Sequence, residues 1–255
     1  NPAHSLERHI EAHDLVIRAW MEEGPFAFEG KHYHFEYVNT WPRPYQEPHP
    51  PIWCPSQGSS ETIQWAAHPD RKYTYLQTYS AFASVLRYLD AYRAAAQNIY
   101  GYQASSEQIA WCTPAYVAET DEQALEEARE HIEVMFNKFL PKISQSMFVP
   151  PGYMSASSMK QIFAHKATLR GGQTIEDMVE RGVIVVGSPD TVRNILTDRH
   201  RQAGFDHLLL MPQFGTLPGD LTEKNIRLLA TEVIPALQSL DDTNYRGYEV
   251  ANAAE

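Results

Sequence analysis

The chain has 255 residues and a formal net charge of -11, from 21 Lys and Arg against 32 Asp and Glu. A field of that sign repels phosphate backbones and anionic lipid, so neither nucleic acid nor a membrane surface is an expected partner. With 43% hydrophobic and 11% aromatic residues the chain holds enough apolar material for a core, which excludes wholesale disorder.

Leu6, Ile10, Leu15, Val16, Ala19 and Trp20 recur at helical spacing after a capping Ser5, predicting an amphipathic helix over residues 5–22 that Gly24-Pro25 stops. His4, His9 and His13 lie along it, and His9 with His13 has the spacing of a metal pair on one helical face. No third ligand is specified, and Glu7 and Glu11 read as solvated surface, so no metal is expected. Aromatics alternate from Phe26 to Tyr37, predicting a short hairpin or arm, and prolines from Pro42 to Pro55 make a stiff, extended connection.

Strand and helix then alternate. Ile52-Trp53-Cys54 leads through a turn to a helix over 61–67, a strand at 73–77 to a helix over 81–100, and a strand at 108–118 to a helix over 120–140. Thr120 caps the last of these, with Gln123 placed to complete a capping box. Residues 141–182 break the rhythm and read as an insertion of the kind that covers active sites, with helical pieces at 157–169 and 174–181. Ser188 and Pro189 then open a helix to Ala203, His207 to Met211 forms a last buried strand, and a helix follows over 221–240. The reading is one domain over residues 1–240 and a polar tail, 241–255, that is loose or packs on a partner.

Near-continuous apolar strands separated by amphipathic helices demand a parallel sheet covered by helices, either doubly wound or a β/α barrel. Four such strands are visible, half of what an eightfold barrel needs. The apolar runs at Gly182 to Gly187 and Leu208 to Met211 fall far short of the roughly 20 residues that span a bilayer. The opening residues carry neither an initiator Met nor an export signal, which reads as a truncated chain. Cys54 and Cys112 lie in apolar runs and read as inert reduced thiols in a cytoplasmic setting.

Three places could carry chemistry. In the turn Ser56-Gln57-Gly58-Ser59-Ser60-Glu61-Thr62, Gly58 permits close backbone approach, Ser59 and Ser60 offer hydroxyls, and helix N–H groups face an anion, which suits a phosphate. The competing reading makes Ser59 or Ser60 a simple helix cap. Gln77-Thr78-Tyr79 and Met211-Pro212-Gln213-Phe214-Gly215 fall where strands end, the place where α/β folds bind ligands. No nucleophile elbow, Walker loop or GxGxxG is present, and no catalytic residue is assigned.

Phe28-Glu29-Gly30-Lys31-His32-Tyr33, the proline block Trp41 to Trp53, Gly58-Ser59-Ser60-Glu61-Thr62, Gly187-Ser188-Pro189-Asp190 and Phe214-Gly215-Thr216-Leu217-Pro218 together resemble the luciferase-like flavin-dependent monooxygenases. The resemblance runs over residues 5–240 and implies a (β/α)8 TIM barrel of which this chain supplies the second half. It implies an enzyme that takes reduced FMN from a separate flavin reductase, reacts it with O2 and oxygenates a small organic substrate. Gly58, Ser59 and Ser60 would hold the flavin phosphate, Gln77 and Thr78 would border the flavin, Gln213 and Phe214 would border the substrate pocket, and residues 141–182 would be a mobile cover. The residues with catalytic roles in that family would lie in the absent half, and a homo-oligomer is expected. Two readings compete: a relative using a deazaflavin for hydride transfer, and a catalytically silent binding or assembly subunit.

Overall fold

The computed structural model describes residues 4–56, 58–142, 155–156, 160 and 172–240. The expected helical piece at 157–169 and the tail at 241–255 lie outside the described residues. The chain divides into two compact units, Asn1–Ile52 with Ser144–Met159, and Trp53–Ile143 with Lys160–Glu255. Among the described residues no helix is long and apolar enough to cross a membrane.

The first unit is a helix and a hairpin. Helix α1 (Ser5–Met21) starts one residue earlier than a Ser5 cap requires, with His4 in the cap position and no side-chain cap bond. Strands β1 (Phe26–Glu29) and β2 (His34–Val38) pair antiparallel with Phe28 opposite Phe35, as the aromatic alternation predicts. Glu7 and Glu11, one helical turn apart, are not idle surface. Glu11 accepts from the backbone N–H groups of Lys31, His32 and Tyr33 at 3.0, 2.9 and 2.7 Å, and Glu7 pairs with Lys31 Nζ at 2.7 Å. Gly30 makes this approach possible, because a Cβ there would run into the Glu11 carboxylate. Glu7 and Glu11, read from the sequence as solvated surface, are therefore a hairpin clamp. Among the described residues no three His, Cys, Asp or Glu gather to hold a metal.

Burial raises the Glu11 carboxyl, but the backbone donors of His32, Tyr33 and Lys31 outweigh it and hold it below its usual 4.5. A carboxylate depressed in the folded state contributes stability above its unfolded value and loses it as pH falls through the lower folded value. The clamp is thus expected to open only below pH 4.5, and Glu11→Gln to abolish this acid step. Following the Lys31 to Tyr33 amide resonances during acid titration checks it; a transition unchanged in the variant would refute the clamp.

The second unit is built on a five-stranded parallel sheet. Strands β3 (Trp53–Ser56), β4 (Thr74–Thr78) and β5 (Ile109–Val117) pair in sequence, and both β6 (Val185–Gly187) and β7 (His207–Met211) pair with β5. The helices between them are α2 (Ser60–Ala67), α3 (Phe82–Ala94), α4 (Asp121–Val134), α5 (Ile175–Glu180) and α6 (Pro189–Ala203), and α7 (Gly219–Leu228) and α8 (Ile234–Gln238) follow β7. Strand β6 is a fifth parallel strand that the sequence reading did not assign. Strand β7 is half-exposed along its whole length rather than buried, because its described neighbour lies on one side only.

Register sorts the side chains by face. Cys54, Tyr75 and Ile109 align across the sheet, as do Ser56, Gln77, Trp111 and Leu208 two residues along the strands. This face packs on helices: Tyr75 stacks on Tyr92 of α3 with ring centres 5.3 Å apart, and Trp111 meets Phe82 of α3 at 5.3 Å. The opposite face gathers Leu76, Ala110 and Cys112, flanked by half-buried Trp53, Leu209 and Met211.

Beyond the sheet, α4 presents Ala124, Ala128, Ile132 and Phe136, repeating every fourth residue, to Met178, Val183, Ile184 and Val186. Thr120 caps α4 by accepting from Gln123 N at 3.2 Å, but the Gln123 side chain reaches forward to Glu127 at 2.9 Å and does not bond back to the cap. Ser188 caps α6 with Pro189 in its first turn, as expected. From α7, fully buried Asn225 accepts from Val117 N at 2.9 Å and donates to Ala115 O and Pro212 O at 2.8 and 2.9 Å.

Candidate functional site

The turn from β3 into α2 is built from below by an aromatic ring. Gly58 is buried with φ +92°, and a Cβ on it would overlap the ring of Tyr88 from α3. The glycine serves this packing: its backbone N donates to Ser56 Oγ at 3.0 Å, and the Tyr88 ring takes the place of its side chain. Close approach is needed here, as the sequence reading requires, but the group that approaches is Tyr88.

Ser59 is the N-cap of α2, its Oγ accepting from Thr62 N at 3.3 Å. The same hydroxyl donates to Glu61 Oε2 at 2.8 Å, and Ser60 Oγ donates to that oxygen at 3.3 Å. Two hydroxyls thus converge on one carboxylate oxygen at the start of a helix whose dipole favours negative charge there. Of the two readings offered by the sequence, the structure shows Ser59 as the cap, and the anion its hydroxyl meets is the chain's own Glu61.

The two strand-end motifs separate. Gln77 is fully buried on the helix-facing side, its Nε2 donating to Ser56 O at 3.0 Å and to Tyr75 Oη at 2.8 Å, while its Oε1 has no partner. In this structure it borders no open surface and braces the strand under the turn. Thr78, one residue on, falls on the opposite, half-buried face in register with Cys112. Phe214 is 3% exposed and meets Tyr116 edge-on at 6.2 Å within the α4 core cluster, so it too faces no open surface, whereas Gln213 is exposed.

Two residues belong to this region that the sequence reading did not assign. Tyr79 has φ +50°, outside the usual range for a side chain of its size, and its hydroxyl donates to Met211 Sδ at 3.2 Å across the ends of β4 and β7. Burial raises its phenol, so it stays a donor at neutral pH. Glu61 is the other, and its signal was position: an acid two residues into a helix that opens with serines. A cleft of about 660 Å3 lies elsewhere, beside β7, lined in part by Trp53, His200, Phe205, His207 and Leu237. Trp53 and His207 open their strands, so this cleft belongs to the end of the sheet away from the turn.

The model of a family described as luciferase-like monooxygenase matches residues 1–207. An uncharacterized protein of Sinorhizobium fredii is 25% identical over 229 residues, covering 89% of this chain and 60% of its own length. The solved structure of the oxygenating constituent of 3,6-diketocamphane monooxygenase from Pseudomonas putida, in complex with FMN, is 20% identical with a TM-score of 0.63, over 89% of this chain and 62% of that one. The coenzyme F420-dependent tetrahydromethanopterin reductase of Methanopyrus kandleri is 19% identical with a TM-score of 0.58, over 92% and 63%. The chain spans about 60% of the length of these relatives.

Proposed function

Because the chain belongs to the luciferase-like monooxygenase family and folds as part of its barrel, we propose that it is the flavin-phosphate-holding portion of an FMN-dependent monooxygenase. The observation that carries this reading is the convergence of the Ser59 and Ser60 hydroxyls on one anionic oxygen at the N-terminus of α2. The donor set suits a phosphate: two hydroxyls, a helix start, and a turn held rigid from beneath by Tyr88.

Reduced FMN, when bound, supplies the electrons with which O2 oxygenates a small organic substrate. The residues of this chain hold and orient. Ser59 and Ser60 donate to the phosphate, and Gln77 ties β4 to Ser56 O so that the turn keeps its place. Thr78 and Tyr79 border the ring system at the end of β4, with the Tyr79 hydroxyl as a neutral donor. Gln213, exposed beyond β7, lies at the substrate side. A cytoplasmic setting is part of the proposal; Cys54 and Cys112 are buried and free, and burial pushes the Cys54 thiol up to about 11, away from reactive thiolate. A separate reductase delivers the flavin, and the intact enzyme self-associates.

Titration of the intact protein with FMN under reducing and oxidising conditions, followed by flavin fluorescence, tests the reading. Ser60→Ala leaves the Ser59 cap in place and is expected to weaken reduced FMN about tenfold, the size of one lost charge-assisted hydrogen bond. Ser59→Ala weakens it similarly and also costs about 1 kcal/mol of stability as a lost cap. Binding of a deazaflavin in place of FMN would move the assignment to hydride transfer, and binding of neither would leave a silent subunit.

A further inference from the structure

The Glu61 carboxylate and a phosphate need the same two donors. Glu61 Oε2 takes Ser59 Oγ at 2.8 Å and Ser60 Oγ at 3.3 Å, from a half-buried position in the first turn of α2. Two anions on one pair of hydroxyls repel each other at short range in a partly desolvated place, so one must leave for the other to bind.

We propose that Glu61 is a built-in competitor for the FMN phosphate, and that it sets how tightly this turn holds the flavin. This rests on the flavin reading above and extends it to a residue with no assigned role. The carboxylate keeps the hydroxyls of the turn satisfied, so a departing flavin leaves no unpaired donors behind. An arriving FMN must displace an anion that the helix dipole already favours, which weakens FMN without touching the contacts to its ring. A flavin delivered by another protein and returned to it after each cycle requires such moderate affinity.

Glu61→Gln separates the charge from the hydrogen bonding, because the amide oxygen still accepts from both serines. The experiment titrates FMN and riboflavin, which lacks the phosphate, into intact wild-type and Glu61→Gln protein, by flavin fluorescence with circular dichroism to confirm the fold. The variant is expected to bind FMN about tenfold more tightly, one like-charge contact discounted for partial exposure, with riboflavin unchanged. FMN dissociation measured by stopped flow should slow by the same factor. Unchanged or weaker FMN binding in the variant, with wild-type binding intact, overturns the competitor and leaves the flavin site standing. An equal gain for riboflavin overturns it as well, since the effect would not pass through the phosphate. No binding of either flavin by either protein overturns the flavin site and this inference together.

Discussion

Asn225→Ala is expected to lower the stability of the chain by about 4 kcal/mol, since two buried backbone groups and a third, half-buried one lose their partner and each unpaired buried group costs about 1–3 kcal/mol. The side chain is fully buried, and it gives both N–H donors to Ala115 O and Pro212 O while its oxygen accepts from Val117 N. It thereby joins the last residues of β5 to the segment that follows β7, two points that no ladder bond connects. Alanine fills none of these roles and also leaves a void. Urea unfolding followed by tryptophan fluorescence should show a lowered midpoint with an unchanged slope. Asn225→Asp sharpens the test: it keeps an acceptor for Val117 N but turns both donors toward Ala115 and Pro212 into a buried negative charge. The aspartate variant should be at least as unstable at neutral pH and recover partly in acid, where a protonated carboxyl regains one donor. A loss below about 1 kcal/mol for alanine would mean that the segment after β7 holds its place without the clip.

Asn225 also marks the limit of what the sequence discloses. The helix that carries it follows from apolar spacing, yet nothing local singles out one polar residue on its inward face, because its partner Val117 is 108 residues away. Strand β6 was missed for a related reason: three residues of Val185–Gly187 are too short to show a period, and they become a strand by pairing with the far end of β5. Longer elements declared themselves, since amphipathic helices and Ser or Thr caps are local physics. Position named the candidate residues but not the face each one takes. Alternation along Thr74–Thr78 is visible in the chain, but only the stacking of Tyr75 on Tyr92 shows that Gln77 turns to the helices and Thr78 away from them. Glu7 is exposed and Glu11 half-buried, but the bonds they make were not legible locally, because their partners sit on a hairpin turn about twenty residues on. The strand pattern left a doubly wound sheet and a half-barrel open, the resemblance chose the half-barrel, and the family comparison agrees with it.

Gly58→Ala is expected to cost about 2–4 kcal/mol, combining strain at φ +92° with overlap on the Tyr88 ring. Two accounts of this glycine predict different patterns. If its purpose is to let a ligand reach the backbone, alanine should spare stability and weaken FMN alone. If it lets Tyr88 buttress the turn, stability falls first, and flavin affinity falls because Ser59 and Ser60 lose their fixed platform. Tyr88 is 5% exposed, so Tyr88→Ala alone should cost about 3 kcal/mol as a core truncation. In the double variant the overlap is relieved while the backbone strain remains, so the summed loss should fall short of additivity by about 1–2 kcal/mol. Strict additivity in urea unfolding would separate the glycine from the ring. Coupling of the expected size would show that the turn proposed to hold the phosphate is supported by the aromatic layer behind the sheet, so its donor geometry is set before any ligand arrives and the binding energy need not be spent on ordering the loop.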